Sequence, residues 1–292
     1  MRIRTRLRAL AAVTALAAAA GCSSAPPASQ PPASHPPAAA GGAAYWTRAR
    51  LLGARGEHGS GYRLGQSKTA HPSAQSVRVG ALFEHDANGD HFCTASVVAS
   101  RGQELLITAA HCIHGGKGGG YGQDIVFIPG YRDGQEPYGV WTPAKLVVAP
   151  QWTGSSDPDL DVGFVVLKAN DGKTIQGVLG GNKLGINPGY RNLVQVTGYP
   201  DSADAPVTCV NRTSQQSPSQ LRFDCDGFTG GTSGSPWVAD FDPRTDTGTI
   251  VGVLGGYQEG GDTEGISYSA YLGAEIEQLY RQAVAAEAAP AG

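Results

Sequence analysis

Gly230-Gly231-Thr232-Ser233-Gly234-Ser235-Pro236 is the stretch around which the rest of the chain is organised. Its glycines permit positive φ and a close approach of backbone to a ligand. A serine on such a turn is exposed. Its neighbouring N–H groups can face one small space, as the oxyanion of an acyl transfer requires. The same letters also suit an ordinary turn between two strands, so the rest of the chain has to decide the reading.

Outward from this turn the pattern is short apolar runs separated by turn residues. Downstream lie Trp237–Phe241 and Thr249–Leu254. Upstream lie Val77–Phe83, His91–Val98, Glu104–Thr108, Asp124–Pro129, Ala144–Ala149, Val162–Leu167, Leu193–Pro200, Pro206–Asn211 and Leu221–Cys225. Asp86-Ala87-Asn88-Gly89-Asp90 is a hairpin turn; its glycine is misplaced for an EF-hand. Strands every eight to twelve residues or so predict an all-β barrel or sandwich. One helix is predicted over Ala274–Ala288, where Ile276, Leu279, Tyr280 and Val284 recur at spacings of three and four. The 292 residues include 42 Gly and 19 Pro but only 16% charged residues, which suits strands and turns. The net charge of −3, without a basic block beyond the first residues, gives no nucleic-acid surface.

A serine hydroxyl needs a base and an orienting acid before it is a useful nucleophile. Among the histidines, His111 closes a strand, follows two small residues and adjoins Cys112. His85, His91 and His114 read as surface or turn residues. For the acid, Asp161 abuts the apolar run Val162–Leu167, at the mouth of a core. Asp157, beside Pro158, reads as a solvated turn residue. Asp159 faces the same side as Asp161 if the segment is extended, and is the alternative.

The N-terminus reads as an export signal over residues 1–22. Four arginines lie in Met1–Arg8, followed by the apolar run Ala9–Ala20, too short to span a bilayer. Ala19-Ala20-Gly21-Cys22 resembles a bacterial lipobox, in which Cys22 is lipidated and tethers the protein to a membrane. Ordinary secretory cleavage nearby is the alternative. Either way the protein is exported, as a cell-surface lipoprotein or a freely secreted one. Residues 23–75 form a Pro/Ala/Ser-rich tether and a possible pro-segment, and residues 76–288 the globular domain. Setting Cys22 aside leaves Cys93, Cys112, Cys209 and Cys225, which allow three pairings. The simplest, Cys93–Cys112 with Cys209–Cys225, closes two short loops, and the first bridge would hold the His111 segment to a neighbouring strand.

Taken together, these motifs resemble the trypsin-like (chymotrypsin-fold) serine peptidases. Thr108-Ala109-Ala110-His111-Cys112 resembles the histidine motif, and His91-Phe92-Cys93-x-x-Ser96 the strand disulfide-linked to it. Asp161 before an apolar strand resembles the aspartate motif, and Gly231–Pro236 the nucleophile motif. The order His, Asp, Ser also agrees with that family. The resemblance implies two antiparallel six-stranded β-barrels with a C-terminal α-helix. It implies Ser233 as nucleophile, His111 as base, Asp161 as the orienting acid, and the N–H groups of Gly231 and Ser233 as oxyanion hole. The function implied is an exported serine endopeptidase hydrolysing a polypeptide substrate through an acyl-enzyme, as a monomer. A catalytically silent binding protein on this fold, or an esterase using the same triad, are the alternatives. No metal-ligand spacing is present and no cofactor is expected.

The chain departs from the family in three places. Thr232 stands where vertebrate digestive members carry an aspartate that pairs with a newly cleaved N-terminal amine, so that activation switch is not expected. The Gly-Thr-Ser-Gly-Ser-Pro form and Gly198-Tyr199-Pro200 are similar to a bacterial secreted branch close to the glutamyl endopeptidases. Yet Gly252–Tyr257, expected to line the specificity pocket, lacks the histidine of glutamyl-specific members. Asp226 does not match the offset that selects Lys or Arg, so side-chain specificity stays open.

Overall fold

The computed structural model describes residues 64–86 and 89–287. The export segment, Cys22, the Ser23–Gly42 tether, Asn88 and Ala288 lie outside these residues. The strands are β1 (Lys68–Thr69), β2 (Val79–Asp86), β3 (Gly89–Val97), β4 (Leu105–Thr108), β5 (Gln123–Pro129), β6 (Pro143–Val148), β7 (Gly163–Leu167), β8 (Lys183–Leu184), β9 (Leu193–Gly198), β10 (Val207–Ser217), β11 (Gln220–Asp224), β12 (Pro236–Asp242), β13 (Thr247–Val253) and β14 (Ile266–Ala270). The helices are α1 (Pro150–Ser155), α2 (Ile175–Leu179) and α3 (Ala274–Glu287).

β2 to β7 form a six-stranded antiparallel sheet in the order β5-β2-β3-β4-β7-β6. It closes on itself where Phe127 and Trp141 exchange backbone hydrogen bonds of 2.8 and 2.9 Å. Closure removes the exposed edges that an open sheet would present. Six antiparallel strands, β9 to β14, make the second barrel. Its ends meet where Gly255 N donates to Tyr268 O at 3.0 Å. Two short strips widen this sheet to eight strands: β8 pairs parallel with β13, and β1 antiparallel with β10. Lys68–Thr69 is thereby laid along the second barrel.

The apolar run of β7 shows why such a strand lacks alternation. Val165 and Leu167 face the first barrel's interior, beside Leu106, Phe127 and Trp141. Phe164 and Val166 face the other way, into a second cluster with Val238, Ile250 and Val253 of the second barrel and Ile276, Leu279 and Ala283 of α3. A strand buried on both faces reads as a continuous hydrophobic run. The second barrel's own interior is built on Val194, Leu221, Phe223 and Trp237.

Two helices and three strands escaped the sequence reading, which placed a single helix at the C-terminus. α1 and α2 have six and five residues, too short to develop a 3.6-residue period. α2 is instead set by a cap, with Gly177 N donating to Thr174 Oγ1 at 3.2 Å. β14 carries Ser267 and Ser269, both buried, where an apolar alternation was sought. β1 and β8 have two residues each. Among the described residues no helix is long and apolar enough to cross a membrane.

Candidate active site

β4 carries the chain to Thr108, after which Ala109 and Ala110 are fully buried and allow no bulk. A tight turn follows, with Ile113 N donating to Ala110 O at 3.0 Å. The turn presents His111. Its neighbour Cys112 is bonded to Cys93 of β3, with Cα atoms 6.0 Å apart. The second bridge joins Cys209 to Cys225. Cys93, His111 and Cys112 form a metal-like cluster, the one such group among the described residues, but both sulfurs are already engaged in the disulfide.

Asp161 follows a 3-10 turn at Pro158–Leu160 and precedes β7. Its side chain is 0% exposed. Three donors meet it: His111 N at 2.9 Å and His111 Nδ1 at 2.7 Å, and Gly256 N at 2.8 Å. An ionised carboxylate only accepts, so Nδ1 carries the hydrogen and Nε2 keeps its lone pair. Burial works against the imidazolium, yet the charge and hydrogen bond of Asp161 outweigh it, helped by Glu259 and Glu84. The pKa of His111 is raised above its ordinary value. Burial likewise opposes ionised Asp161, but His111 and the two backbone donors hold its pKa below the usual range.

The structure brings Asp161, and not Asp159, against His111. The segment is coiled, not extended, so Asp159 does not share the side of Asp161 and accepts from Gln220 Nε2 at 2.7 Å. Asp157 caps the turn, accepting from Asp159 N at 3.0 Å. His85 pairs with exposed Asp90. His114 is a turn residue, but a buried one, edge-on to Tyr121 at 4.7 Å. Asp226 is exposed.

The Ser233 turn is tied to both neighbours of this pair. Thr94, next to Cys93, donates from its N to Ser233 O at 2.7 Å and from its hydroxyl to Gly231 O at 3.0 Å. Thr94 also accepts from Tyr199 N at 2.9 Å and, through its carbonyl, from Thr108 Oγ1 at 2.8 Å. On the other side, Gly234 N donates to Leu254 O at 2.7 Å, and Leu254 N to Ser235 O at 2.9 Å. Two residues on, Gly256 holds Asp161. The 254–256 segment therefore joins the serine turn to the acid. Gly234 has φ +85°, and a Cβ there would overlap the Thr94 carbonyl oxygen. Only glycine lets β3 and the turn approach so closely.

A family model described as the trypsin-like peptidase domain matches residues 93–253, a span that includes His111, Asp161 and Ser233. The chain belongs to the trypsin-like peptidase family. Among solved structures, a thermostable serine protease from an extremophilic microorganism is 28% identical, with a TM-score of 0.66, covering 73% of this chain and 99% of that one. A protease from Arthrobacter nicotinovorans, 23% identical with a TM-score of 0.65, shares the fold over 75% of this chain and 99% of that one. So does a Glu endopeptidase, 15% identical with a TM-score of 0.61, over 76% and 98%. No curated protein sequence matches the chain. This peptidase is a serine-type hydrolase on the chymotrypsin fold.

Two parts of the candidate site are absent from the sequence reading. Thr94 is one of the unspecified positions between Cys93 and Ser96, although all four of its backbone and hydroxyl links above converge on the site. Its adjacency to Cys93 was the available signal. Gly256 acts through its backbone N–H, which no side-chain pattern announces. Thr232 is 1% exposed and donates its hydroxyl to Thr229 O at 2.6 Å, within its own turn.

Proposed function

We propose that this peptidase is an exported endopeptidase that cleaves polypeptides with Ser233 as nucleophile, His111 as general base and Asp161 as orienting acid. The observation that carries the proposal is the 2.7 Å contact between His111 Nδ1 and the buried Asp161 carboxylate. It fixes the tautomer in which Nε2 accepts a proton. Ser233 Oγ attacks the scissile carbonyl carbon while its proton moves to Nε2. The C–N bond then breaks as Nε2 delivers that proton to the leaving amine. Water, activated by the same nitrogen, hydrolyses the resulting ester and restores Ser233.

The N–H groups of Gly231 and Ser233 are assigned to the oxyanion. Among the described residues neither N–H meets a protein acceptor. Gly231 takes φ +82° against the Phe92 ring and the Tyr199 carbonyl, a place where a side chain does not fit. Export rests on the Arg-rich, apolar leader and on the two disulfides, which persist in oxidising compartments. Lipidation of Cys22 is the anchored form of that reading, and the intact mass of native protein tests it.

The test of the triad is a fluorophosphonate probe on folded protein. One label on wild type and none on Ser233→Ala supports the reading. A folded wild type that takes no label, or a Ser233→Ala protein that still does, sinks it. Ester and peptide turnover on one preparation separates peptidase from esterase.

A further inference from the structure

Gly230 and Gly231 make the most pliable dipeptide in the chain's central turn, yet the peptide bond between them has to point one way for the oxyanion assignment to hold. A Gly-Gly unit has no side chain with which to fix that choice and visits both signs of φ. Something outside the turn must therefore select the orientation. Asp201 does this from the loop after β9. Its N–H donates to Gly230 O at 2.7 Å. In a trans peptide the C=O and the following N–H point in opposite directions. Holding the Gly230 carbonyl toward Asp201 therefore aims the Gly231 N–H away from it. The next peptide but one is held by the same logic from within: Thr232 O accepts from Ser235 N at 3.0 Å and Ser235 Oγ at 2.6 Å, which turns the Ser233 N–H outward.

Asp201 is itself fastened. Its Oδ1 accepts from Thr229 Oγ1 at 2.6 Å. Its Oδ2 lies 2.8 Å from where a Cβ on Gly230 would stand, so the carboxylate covers that residue. Pro200 precedes it with a fixed φ, and Ala203 N closes the turn onto Pro200 O at 3.3 Å. Thr229 is bound at both ends, by its hydroxyl to Asp201 and by its carbonyl to the Thr232 hydroxyl. Among the described residues the two threonines and Asp201 thus brace the dipeptide from both sides.

Resting on the triad reading above, we propose that Asp201 is a positioning residue that sets the Gly231 N–H for the oxyanion through Thr229 and the Gly230 carbonyl. The hole is then formed in the chain as folded and needs no cleavage of a pro-segment to order it. The experiment measures turnover of p-nitrophenyl acetate and the rate of fluorophosphonate labelling for the full chain and its variants. Asp201→Ala keeps the backbone N–H on the Gly230 carbonyl but removes the carboxylate bond to Thr229 that fixes its place, and lowers kcat by ~10- to 100-fold, somewhat less than deletion of an oxyanion donor. KM and the melting temperature stay unchanged, and the labelling rate falls by the same factor. Asp201→Asn keeps the acceptor oxygen and restores most of the rate. Thr229→Val reproduces Asp201→Ala, and the double variant loses no more than the worse single one, because both act through one contact. Wild-type kcat in Asp201→Ala, an Asn variant as slow as the Ala variant, or additive losses in the double variant would each overturn the proposal. A wild type inert to both reagents would instead remove the triad reading on which it stands.

Discussion

Asp161 keeps its charge at 0% exposure because three N–H groups face it, and this has consequences at the scale of single residues. Its partner His111 has a raised pKa, so the charged pair stabilises the fold most fully below the ordinary histidine value. That contribution is lost as pH rises through the raised value. For Asp161 the sign is opposite: stability is present above the usual carboxylate range and lost as pH falls through the lowered value. With His111 as the proposed base, catalysis needs its neutral form and therefore climbs with pH where the pair's stabilisation declines. We expect kcat/KM to rise through a midpoint above the ordinary histidine value, while melting temperatures of wild type relative to Asp161→Asn shrink over the same range. Asp161→Asn lowers kcat roughly 10⁴-fold, because the imidazole loses its fixed tautomer, and moves the midpoint down. Thr232→Asp makes the complementary test of the turn. It puts a carboxylate beside the Thr229 carbonyl at a site 1% exposed, where the described residues give Thr232 only carbonyl, N–H and hydroxyl partners of its own turn. Urea denaturation should show a loss of about 3 kcal/mol or more. His111, Asp161 and Ser233 could be picked out in the sequence because their side-chain types stand in strict local contexts. Gly256 could not, because it works through a backbone N–H brought in from far along the chain, and Thr94 could not, because the partners of its hydroxyl and N–H lie in turns more than a hundred residues away.

At the scale of elements, the disulfide between β3 and the His111 turn carries the clearest expectation. Cys93 and Cys112 are 19 residues apart, and closing a loop of that size restrains the unfolded chain by roughly 3 kcal/mol. Replacing both cysteines by alanine should lower urea stability by about that amount. Activity should fall further than stability, because Thr94 beside Cys93 also holds the Ser233 carbonyl. An unchanged kcat/KM in the double variant would show that Thr94 and the turn hold register without the bridge. The strands that the sequence disclosed are those with an apolar rhythm or an uninterrupted apolar run, such as β7. β14 stayed hidden because two buried serines replace its inward apolar residues: Ser269 Oγ accepts from Val253 N at 2.8 Å and helps join β13 to β14. A hydroxyl inside a barrel serves as a fastening there, and hydrophobic patterning cannot register it.

The two barrels are held together by a helix that belongs to neither. α3 leaves the second barrel after β14 and buries Ile276, Leu279 and Ala283 in the cluster shared with β4, β7 and β13. Its periodicity was plain in the sequence; its docking place was not, since the receiving turn at 99–104 has no pattern. Tyr280 hydroxyl donates to Ala99 O at 2.6 Å. Glu287 gathers Ser100 Oγ at 2.6 Å, Glu104 N at 2.8 Å and Gly102 N at 3.1 Å. Leu279→Ala should cost about 2–5 kcal/mol in equilibrium unfolding, with both barrels unfolding together; a loss confined to one barrel would contradict the shared cluster. The same helix imposes a timetable. A ribosome makes both barrels, including the Ser233 turn, before it makes the helix that completes the cover of β4 and β7. Until α3 emerges, Leu105, Ile107, Phe164 and Val166 have only the second-barrel side of their cluster, Val238, Ile250 and Val253, and a nascent chain carrying the complete serine turn is still an unfinished protein. Pulse proteolysis of ribosome-stalled chains should find stable protection only once α3 has cleared the exit tunnel, so this hydrolase matures by the calendar of its own synthesis.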